Sequence, residues 1–467
     1  MNMRQPFFSS LARPQAMALA GKRVLVLGLG DTGLSAANWV RHEGGEVRVA
    51  DTRAAPPGAK AYSGELHTGK FKLSLLKNID LLCVSPGLSL QEELVQAAVA
   101  KGIPVVGDIE LFAWAARGKV LAVTGTNGKS TVSALAGHLL RSAGIDCEVA
   151  GNIGPAALEA LMRRGSNLPA AWVLELSSYQ LETTWSLLPV AAAMLNLSED
   201  HLDRYAGLAD YAAAKARIFT GAGAQVLNRC DSASMGLALD GLPQVTFGMD
   251  PPSVSEDFGV LEAEGRAWLA RGVERILPVA ELPISGSHNT SNALAACALA
   301  FLAGAPLTAL AGGLRSFRGL PHRMQRVALR GGVEWLDDSK GTNVGATVAA
   351  LNGLSRRAVL ILGGDGKGQN FAPLVPAIRA RAKHVLLIGR DAALIEEAIA
   401  SSGVPSERVD GMEKAVARAA QVAAAGDAVL LSPACASFDM FRDYRHRGEA
   451  FAAAVNSLGS STQGLGA

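Results

Sequence analysis

The sequence predicts an α/β protein of three domains, and three observations carry that expectation. The first is length, since 467 residues at roughly 150 per domain supply about three cores. The second is a rhythm: short β-branched or Leu-rich runs such as Val24–Leu27, Val47–Val49 and Leu81–Val84 alternate with longer Ala/Leu-rich stretches. That alternation is what parallel sheets covered by helices require. The third is a pair of Gly-rich turns, each following an apolar run and opening a helical stretch.

Taken in order, residues 1–20 read as a disordered lead-in. Arg4, Phe7-Phe8 and Ala18–Ala20 imitate a secretory signal, but Arg13, Pro14 and Gln15 interrupt its apolar region. Residues 21–108 form a first unit, 109–319 a second and 320–467 a third. Within the second, Asp231–Pro283 is richer in Pro, Gly and short apolar runs and predicts smaller β elements. Ala293–Leu314 is uncharged and long enough for a membrane span, yet Gly304 and Pro306 break it, so two buried helices joined by a turn are expected.

Composition narrows the function. Hydrophobic residues are 49% and charged residues 18%, which excludes wholesale disorder. A net charge of +2 with no run of one sign gives no support to nucleic-acid or membrane-surface binding. Cys83, Cys147, Cys230, Cys297 and Cys435 are scattered and never in a CxxC pair, as for reduced thiols in the cytoplasm.

Gly28-Leu29-Gly30-Asp31-Thr32-Gly33 follows the first strand, and Asp51 ends the next. This is a dinucleotide-binding layout, with glycines letting backbone approach phosphate at a helix N-terminus. Nicotinamide or flavin, another nucleotide-linked ligand, and plain tight packing all remain open for it. The second turn is more specific. Val120–Val123 runs into Thr124-Gly125-Thr126-Asn127-Gly128-Lys129-Ser130-Thr131, where backbone N–H groups can cradle phosphates, Lys129 can neutralise them and Ser130 can reach Mg²⁺. Val123 stands where the full P-loop pattern has its first glycine.

A nucleoside triphosphate site also needs metal ligands. Glu175 closes an apolar strand, where a carboxylate is costly without a partner, and His201 follows another strand in Asn196–Arg204. Hard oxygens with one imidazole suit Mg²⁺ or Mn²⁺.

GTNGKS, LELSSYQLE, NLSEDHLDRY, GSHNTSNALAA and GLPHRMQ occur in the order found in the Mur ligases of peptidoglycan synthesis, which the chain resembles over roughly residues 21 to 455. Asp338–Asn343, Gly363–Lys367 and Leu431–Ser437 are similar to the branch of that family that takes D-glutamate. The resemblance implies an N-terminal Rossmann-like domain for a UDP-sugar, a central P-loop ATPase-type domain and a C-terminal Rossmann-like domain for the incoming amino acid. It implies a cytoplasmic monomer that phosphorylates the carboxylate of UDP-MurNAc-L-Ala with ATP and lets the amine of D-glutamate displace the phosphate. On this reading the glycine loop serves a uridine nucleotide and not a nicotinamide-dependent oxidoreductase.

Site residues follow by the same resemblance. Gly125, Thr126, Asn127, Gly128, Lys129, Ser130, Thr131, Asn289, Asn292, Arg323 and Asp338 would contact ATP. Ser130 and Glu175 would hold one Mg²⁺, with His201 and a carbamylated Lys215 at a second; Lys129, His201 and Lys215 would be the catalytic set. Asp31, Thr32, Asp51, Thr52, Arg53 and Gly87 would meet uracil and diphosphate, and Asn152, Ser177 and Gln180 the muramoyl end. Lys340, Thr342, Lys367, Ser437 and Tyr444 would receive D-glutamate. Asp31 replaces an apolar residue of the family pattern, and Tyr444 a phenylalanine.

Overall fold

The computed structural model describes residues 11, 13–201, 204–284 and 286–458. Strands β1 (Arg23–Leu27), β2 (Glu46–Asp51), β3 (Glu65–Thr68), β4 (Leu81–Val84) and β5 (Val105–Val106) form a first sheet in the order β3-β2-β1-β4-β5, every pair parallel. Its helices are α1 (Asp31–His42), α2 (Glu93–Ala100) and α3 (Asp108–Ala115). Helix α1 places Asp31 in its first turn and Arg41 and His42 in its last, matching the helix dipole at both ends.

The second sheet contains β6 (Lys119–Thr124), β7 (Cys147–Gly151), β8 (Ala171–Glu175), β9 (Ala191–Met194), β10 (Gln225–Asn228), β11 (Gln244–Phe247), β12 (Phe258–Ala263), β13 (Arg266–Arg271) and β14 (Glu274–Pro278). Their order is β14-β13-β12-β11-β10-β9-β6-β8-β7, with antiparallel pairing only at β12-β13-β14. The last strands fall inside Asp231–Pro283, where small β elements are expected. The accompanying helices are α4 (Lys129–Ser142), α5 (Ala157–Arg164), α6 (Ser178–Glu182), α7 (Leu208–Ala216), α8 (Ser232–Met235), α9 (Ser287–Leu302) and α10 (Leu307–Ser316). Helices α9 and α10 replace the single apolar span suggested by length, broken around Gly304 and Pro306. Among the described residues no helix is long and apolar enough to cross a membrane.

The third sheet has β15 (Gln325–Arg330), β16 (Val333–Asp337), β17 (Ala358–Gly363), β18 (Ala382–Ile388), β19 (Ser406–Arg408) and β20 (Ala428–Leu431), in the order β15-β16-β20-β17-β18-β19 and antiparallel only at β15-β16. Helices α11 (Val344–Asn352), α12 (Leu374–Arg381), α13 (Ala392–Ile399), α14 (Met412–Val422) and α15 (Tyr444–Ser457) cover it. Strand β17 is apolar on both faces. Leu360 and Leu362 enter one core with Phe371, while Val359 and Ile361 enter another with Trp335 and Phe451.

Two compact units result. One runs to Glu281 and takes back Asn292–Arg315; the other is Leu282–Ser291 with the chain from Ser316. The first and second sheets therefore belong to one unit with a shared core, in which Phe112 of α3 meets Trp172 of β8 edge-on at 5.1 Å. The lead-in differs from expectation. Leu11 and Leu19 are buried in that core, because apolar side chains at this end find cover against it. Residues 1–10 and 12, also part of the expected lead-in, lie outside the described residues. All five cysteines are free, and only Cys230 is exposed.

Gly33 shows how tightly the first glycine loop closes on α1: a Cβ there would lie 1.8 Å from the Gly28 carbonyl oxygen. Gly33→Ala is expected to lower stability by about 1–3 kcal/mol or more, read as a fall in the urea midpoint at unchanged m-value.

Candidate functional site

Each sheet presents loops at the carboxyl ends of its parallel strands, where strand order reverses and ligands of open α/β sheets bind. In the first sheet β1 lies between β2 and β4, and Gly28 leaves it with φ +85°. Ser85, after β4, donates from Oγ to the Gly28 carbonyl at 3.0 Å. Asp51, only 2% exposed, ends β2 and braces this edge. Its carboxylate accepts from Leu29 N–H at 2.7 Å, from Arg53 N–H at 2.8 Å and from the Arg53 guanidinium at 2.9 and 2.6 Å. Burial alone would raise this carboxyl, but those donors outweigh it and hold it at about 2. With its oxygens thus occupied, Asp51 holds the loop in shape. Asp31, Thr52, Arg53 and Gly87 are exposed on the surrounding turns, with Thr32 half-buried.

In the second sheet β6 runs between β8 and β9, with Val123 opposite Glu175 and Thr124 opposite Met194. The turn from Gly125 to Gly128 (φ +150° and +84°) follows, and α4 starts at Lys129. The Lys129 ammonium donates to the carbonyls of Gly125 at 2.9 Å and Thr126 at 2.8 Å. Asn196 pins the turn, accepting from Asn127 N–H at 2.8 Å and donating back to its carbonyl at 3.1 Å. On α9, Asn292 lies against the turn, its Oδ1 being 2.5 Å from where a Gly128 Cβ would be. Ser130 and Thr131 are buried in the first turn of α4.

Lys215, 1% exposed at the end of α7, donates to the same Gly125 carbonyl at 2.8 Å and to Thr124 Oγ1 at 3.3 Å. Its Nζ sits 4.6 Å from the Tyr211 ring centroid. Burial, and then the charge of Lys129, push its pKa well below the ordinary lysine value, against Asp200 and Glu175. Glu175 is buried; Oε1 accepts from Asn152 Nδ2 at 2.6 Å and Oε2 has no hydrogen-bond partner. His201 adopts φ +56°, with its ring 4.9 Å from Tyr179 and 6.2 Å from Tyr211. Tyr211 thus lies between His201 and Lys215. Among the described residues no group of three His, Cys, Asp or Glu forms a metal cluster. A buried carboxylate oxygen without a donor, beside a phosphate-binding turn, nevertheless fits a hard cation.

Ser177 caps α6 and is half-buried, whereas Gln180 is 3% exposed. The Gln180 amide is held from within the protein: Oε1 accepts from Ser177 N–H at 3.2 Å, and Nε2 donates to Asp108 Oδ2 at 3.1 Å. Gln180 thus supports Ser177 from within the protein, beside the muramoyl-end role expected of it.

In the third sheet the loops after β16, β17 and β20 come together. Asp365 and Ala436 exchange backbone hydrogen bonds, and Ala434 N–H donates to Gly341. These loops carry Lys340, Thr342, Lys367 and Ser437. Lys367 is exposed at φ +50°, Ser437 is buried, and the Lys340 ammonium lies 3.9 Å from the Tyr444 ring centroid, a cation–π contact. Burial raises Asp338 to about 7 against donation by Ser432, the charge of Arg323 and the Met324 N–H, with Asp337 adding to the rise. Asn289 belongs to this compact unit and Asn292 to the other. Sequence reasoning missed Arg447, which is buried and donates to Ser339 Oγ, Ser339 O and Cys435 O at 2.8–3.0 Å. It also missed Tyr211, Asn196 and Asp108. Asn196 stood in a recognised block; the others gave no local signal.

Comparison with known proteins settles the family. The Mur ligase MurD-like N-terminal domain matches residues 22–107, the Mur ligase middle domain 123–300, and the Mur ligase glutamate ligase domain 322–435. A UDP-N-acetylmuramoylalanine–D-glutamate ligase of Nitrosospira multiformis is 54% identical over 96% of this chain and 98% of its own. One from Methylobacillus flagellatus is 53% identical over 95% and 98%. The chain belongs to the Mur ligase family. Among solved structures, a UDP-N-acetylmuramate–alanine ligase of Thermotoga maritima matches with a TM-score of 0.60 at 20% identity, covering 93% of this chain and 99% of that one, a likeness of fold. The glycine loop accordingly lies in a Mur ligase N-terminal domain.

Asp108 yields a prediction of sign. Burial raises its carboxyl to about 6, against donation from Gln180 and the first backbone N–H groups of α3. A folded pKa above the unfolded one gives stability that is complete below pH 4 and lost as pH rises through 6. Between pH 4 and pH 7 the unfolding free energy of Asp108→Asn is therefore expected to improve relative to the parent by about 2 kcal/mol, read from urea midpoints at each pH.

Proposed function

We propose that this Mur ligase joins D-glutamate to UDP-N-acetylmuramoyl-L-alanine at the expense of ATP, in the cytoplasm and as a monomer. The observation that carries the reading is the run of relatives named for that reaction, about half identical over nearly their whole lengths. The division at residues 20/21, 108/109 and 319/320 belongs to the same reading.

The γ-phosphoryl group of ATP passes to the substrate carboxylate as ADP leaves, the neutral D-glutamate amine attacks the acyl carbon and gives up a proton, and the acyl C–O bond breaks to release phosphate. No protein nucleophile enters this sequence. What the chain supplies is positioned charge. Lys129 and the N–H groups of the Gly125–Ser130 turn receive the phosphates, with Thr131, Asn292, Asn289, Arg323 and Asp338 as further ATP contacts. Ser130 and Glu175 would hold one Mg²⁺ and His201 a second, and the bound metal supplies neutralisation of phosphate charge. Burial and the neighbouring Lys129 charge bias Lys215 toward the free amine, and that amine can add to CO₂ with release of a proton, giving a carbamate with anionic oxygens for metal.

Asp31, Thr32, Thr52, Arg53 and Gly87 rim the uridine diphosphate end, with Asp51 bracing Arg53, while Asn152 and Ser177 serve the muramoyl end. D-Glutamate carries two carboxylates, and Lys340, Lys367, Thr342 and Ser437 offer two cations and two hydroxyls. Tyr444 holds the Lys340 ammonium against its ring.

Phosphate release from ATP in the presence of UDP-MurNAc-L-Ala is expected with D-glutamate and at background level with L-glutamate, L-lysine or meso-diaminopimelate. Turnover with another amine alone would move the chain to a sibling step. Lys129→Ala is expected to lower kcat about 100-fold or more in that assay. Activity is also expected to fall in bicarbonate-depleted buffer and return on adding bicarbonate. Lys215→Ala should abolish that response, and an unchanged rate on depletion would argue against the carbamate.

A further inference from the structure

Asp108 is a buried carboxylate that the reaction does not use directly, and it stands where the first sheet hands over to the second. It opens α3, just after β5, and the first turn of that helix is fastened to the segment that follows β8. Gly107 N–H donates to the Thr183 carbonyl at 3.3 Å, and Glu110 Oε2 accepts from Trp185 and Ser186 N–H at 2.6 and 2.9 Å. Between these two ties lies the Asp108–Gln180 hydrogen bond, both partners buried. The groups facing Asp108 are the Gln180 amide on α6, the Cys83 thiol on β4 and the first N–H groups of its own helix. Its Oδ1 has no hydrogen-bond partner.

An amide side chain has two orientations, and Asp108 selects one. A carboxylate accepts only, so Nε2 of Gln180 must face it and Oε1 must face Ser177, whose N–H and hydroxyl lie at 3.2 and 3.4 Å. Gln180 N–H returns a bond to Ser177 Oγ at 3.2 Å, completing a capping box. Ser177 is the half-buried member of this relay, and so the one able to meet a ligand.

We propose that Asp108 is a positioning residue for the nucleotide substrate, acting through Gln180 to hold Ser177 in the orientation that presents it to UDP-MurNAc-L-Ala. This rests on the reading that Ser177 touches that substrate. The relay predicts an effect confined to one substrate, unlike a general loss of fold.

The test is steady-state kinetics on the full chain for Asp108→Leu, Asp108→Asn, Ser177→Ala and the Asp108→Leu/Ser177→Ala pair, varying each substrate in turn. Asp108→Leu is expected to raise KM for UDP-MurNAc-L-Ala about tenfold, leaving KM for ATP and D-glutamate within about twofold. Asp108→Asn, which keeps an oxygen for Gln180, should stay within about threefold of the parent. The pair should be no worse than Ser177→Ala. Should Asp108→Leu not fold, the smaller Asp108→Ala removes the same acceptor with the same expected pattern. Additive effects in the pair, an equal rise in all three KM values, or no rise with Asp108→Leu would overturn the relay. A KM unmoved by Ser177→Ala sinks instead the contact assigned to Ser177.

Discussion

The Gly125 carbonyl accepts hydrogen bonds from two ammonium groups, Lys129 and Lys215, and much of the site's electrostatics follows from that one oxygen. Burial strips a lysine of its hydrating water and so disfavours the charged form most, and the like charge on the shared acceptor adds to that. The fully buried Lys215 bears the consequence and tends to the neutral form. Glu175 carries the converse strain, a buried carboxylate oxygen with no donor. Phosphate at the lysines and a cation at Glu175 would relieve both together, since each brings the charge that the protein side lacks. The protein alone thus leaves a buried cation and a buried carboxylate oxygen short of counter-charge.

That oxygen sits where it does because of strand register. Strand β6 runs between β8 and β9, so the turn after Thr124 leaves the sheet beside the residues after Glu175 and Met194. Thr124 Oγ1 and Thr126 N–H tie the turn to both neighbours, to Leu176 O at 2.8 Å and Asn196 O at 2.9 Å. The other two sheets repeat the arrangement with different contents, a glycine turn braced by Asp51 in one and three mutually hydrogen-bonded loops in the other. Parallel strands explain the shared logic, since they bring several strand ends and helix starts to one edge.

This is also why the candidate residues of the site left local signals in the sequence. Lys129, Glu175 and His201 each lie within a few residues of the end of an apolar strand, so local strings carried both the element and the chemistry. The expected rhythm of strands and helices held for the same reason. Other parts depended on partners far along the chain. Asp108 and Gln180 are 72 positions apart and Arg447 and Ser339 are 108, and neither pairing leaves a local trace. Gln180 was legible as part of a block, yet its hydrogen bond to Asp108 left no trace there. The lead-in misled in the opposite way, because the cover that Leu11 and Leu19 find comes from the core they join.

Buried charge near the site is a feature that the hidden Asp108 and Arg447 share with Asp338. Asp108, Asp338 and Arg447 are each shifted by burial toward the neutral form, to about 6, about 7 and about 10. An apolar residue in such a place is often as good for stability, provided it leaves no polar neighbour alone. That condition fails here. Arg447 serves two carbonyls and a hydroxyl from two different loops, and a leucine in its place would strand both carbonyls, while the Ser339 hydroxyl keeps its bond to the Tyr444 carbonyl. Loops that must expose their side chains to a ligand turn backbone polar groups inward, and a branched, multidentate side chain is the compact way to satisfy several at once. Arg447 is therefore best understood as fixing loop shape, with its desolvation tolerated because the alternative is a pair of unpaired carbonyls at the loop bases.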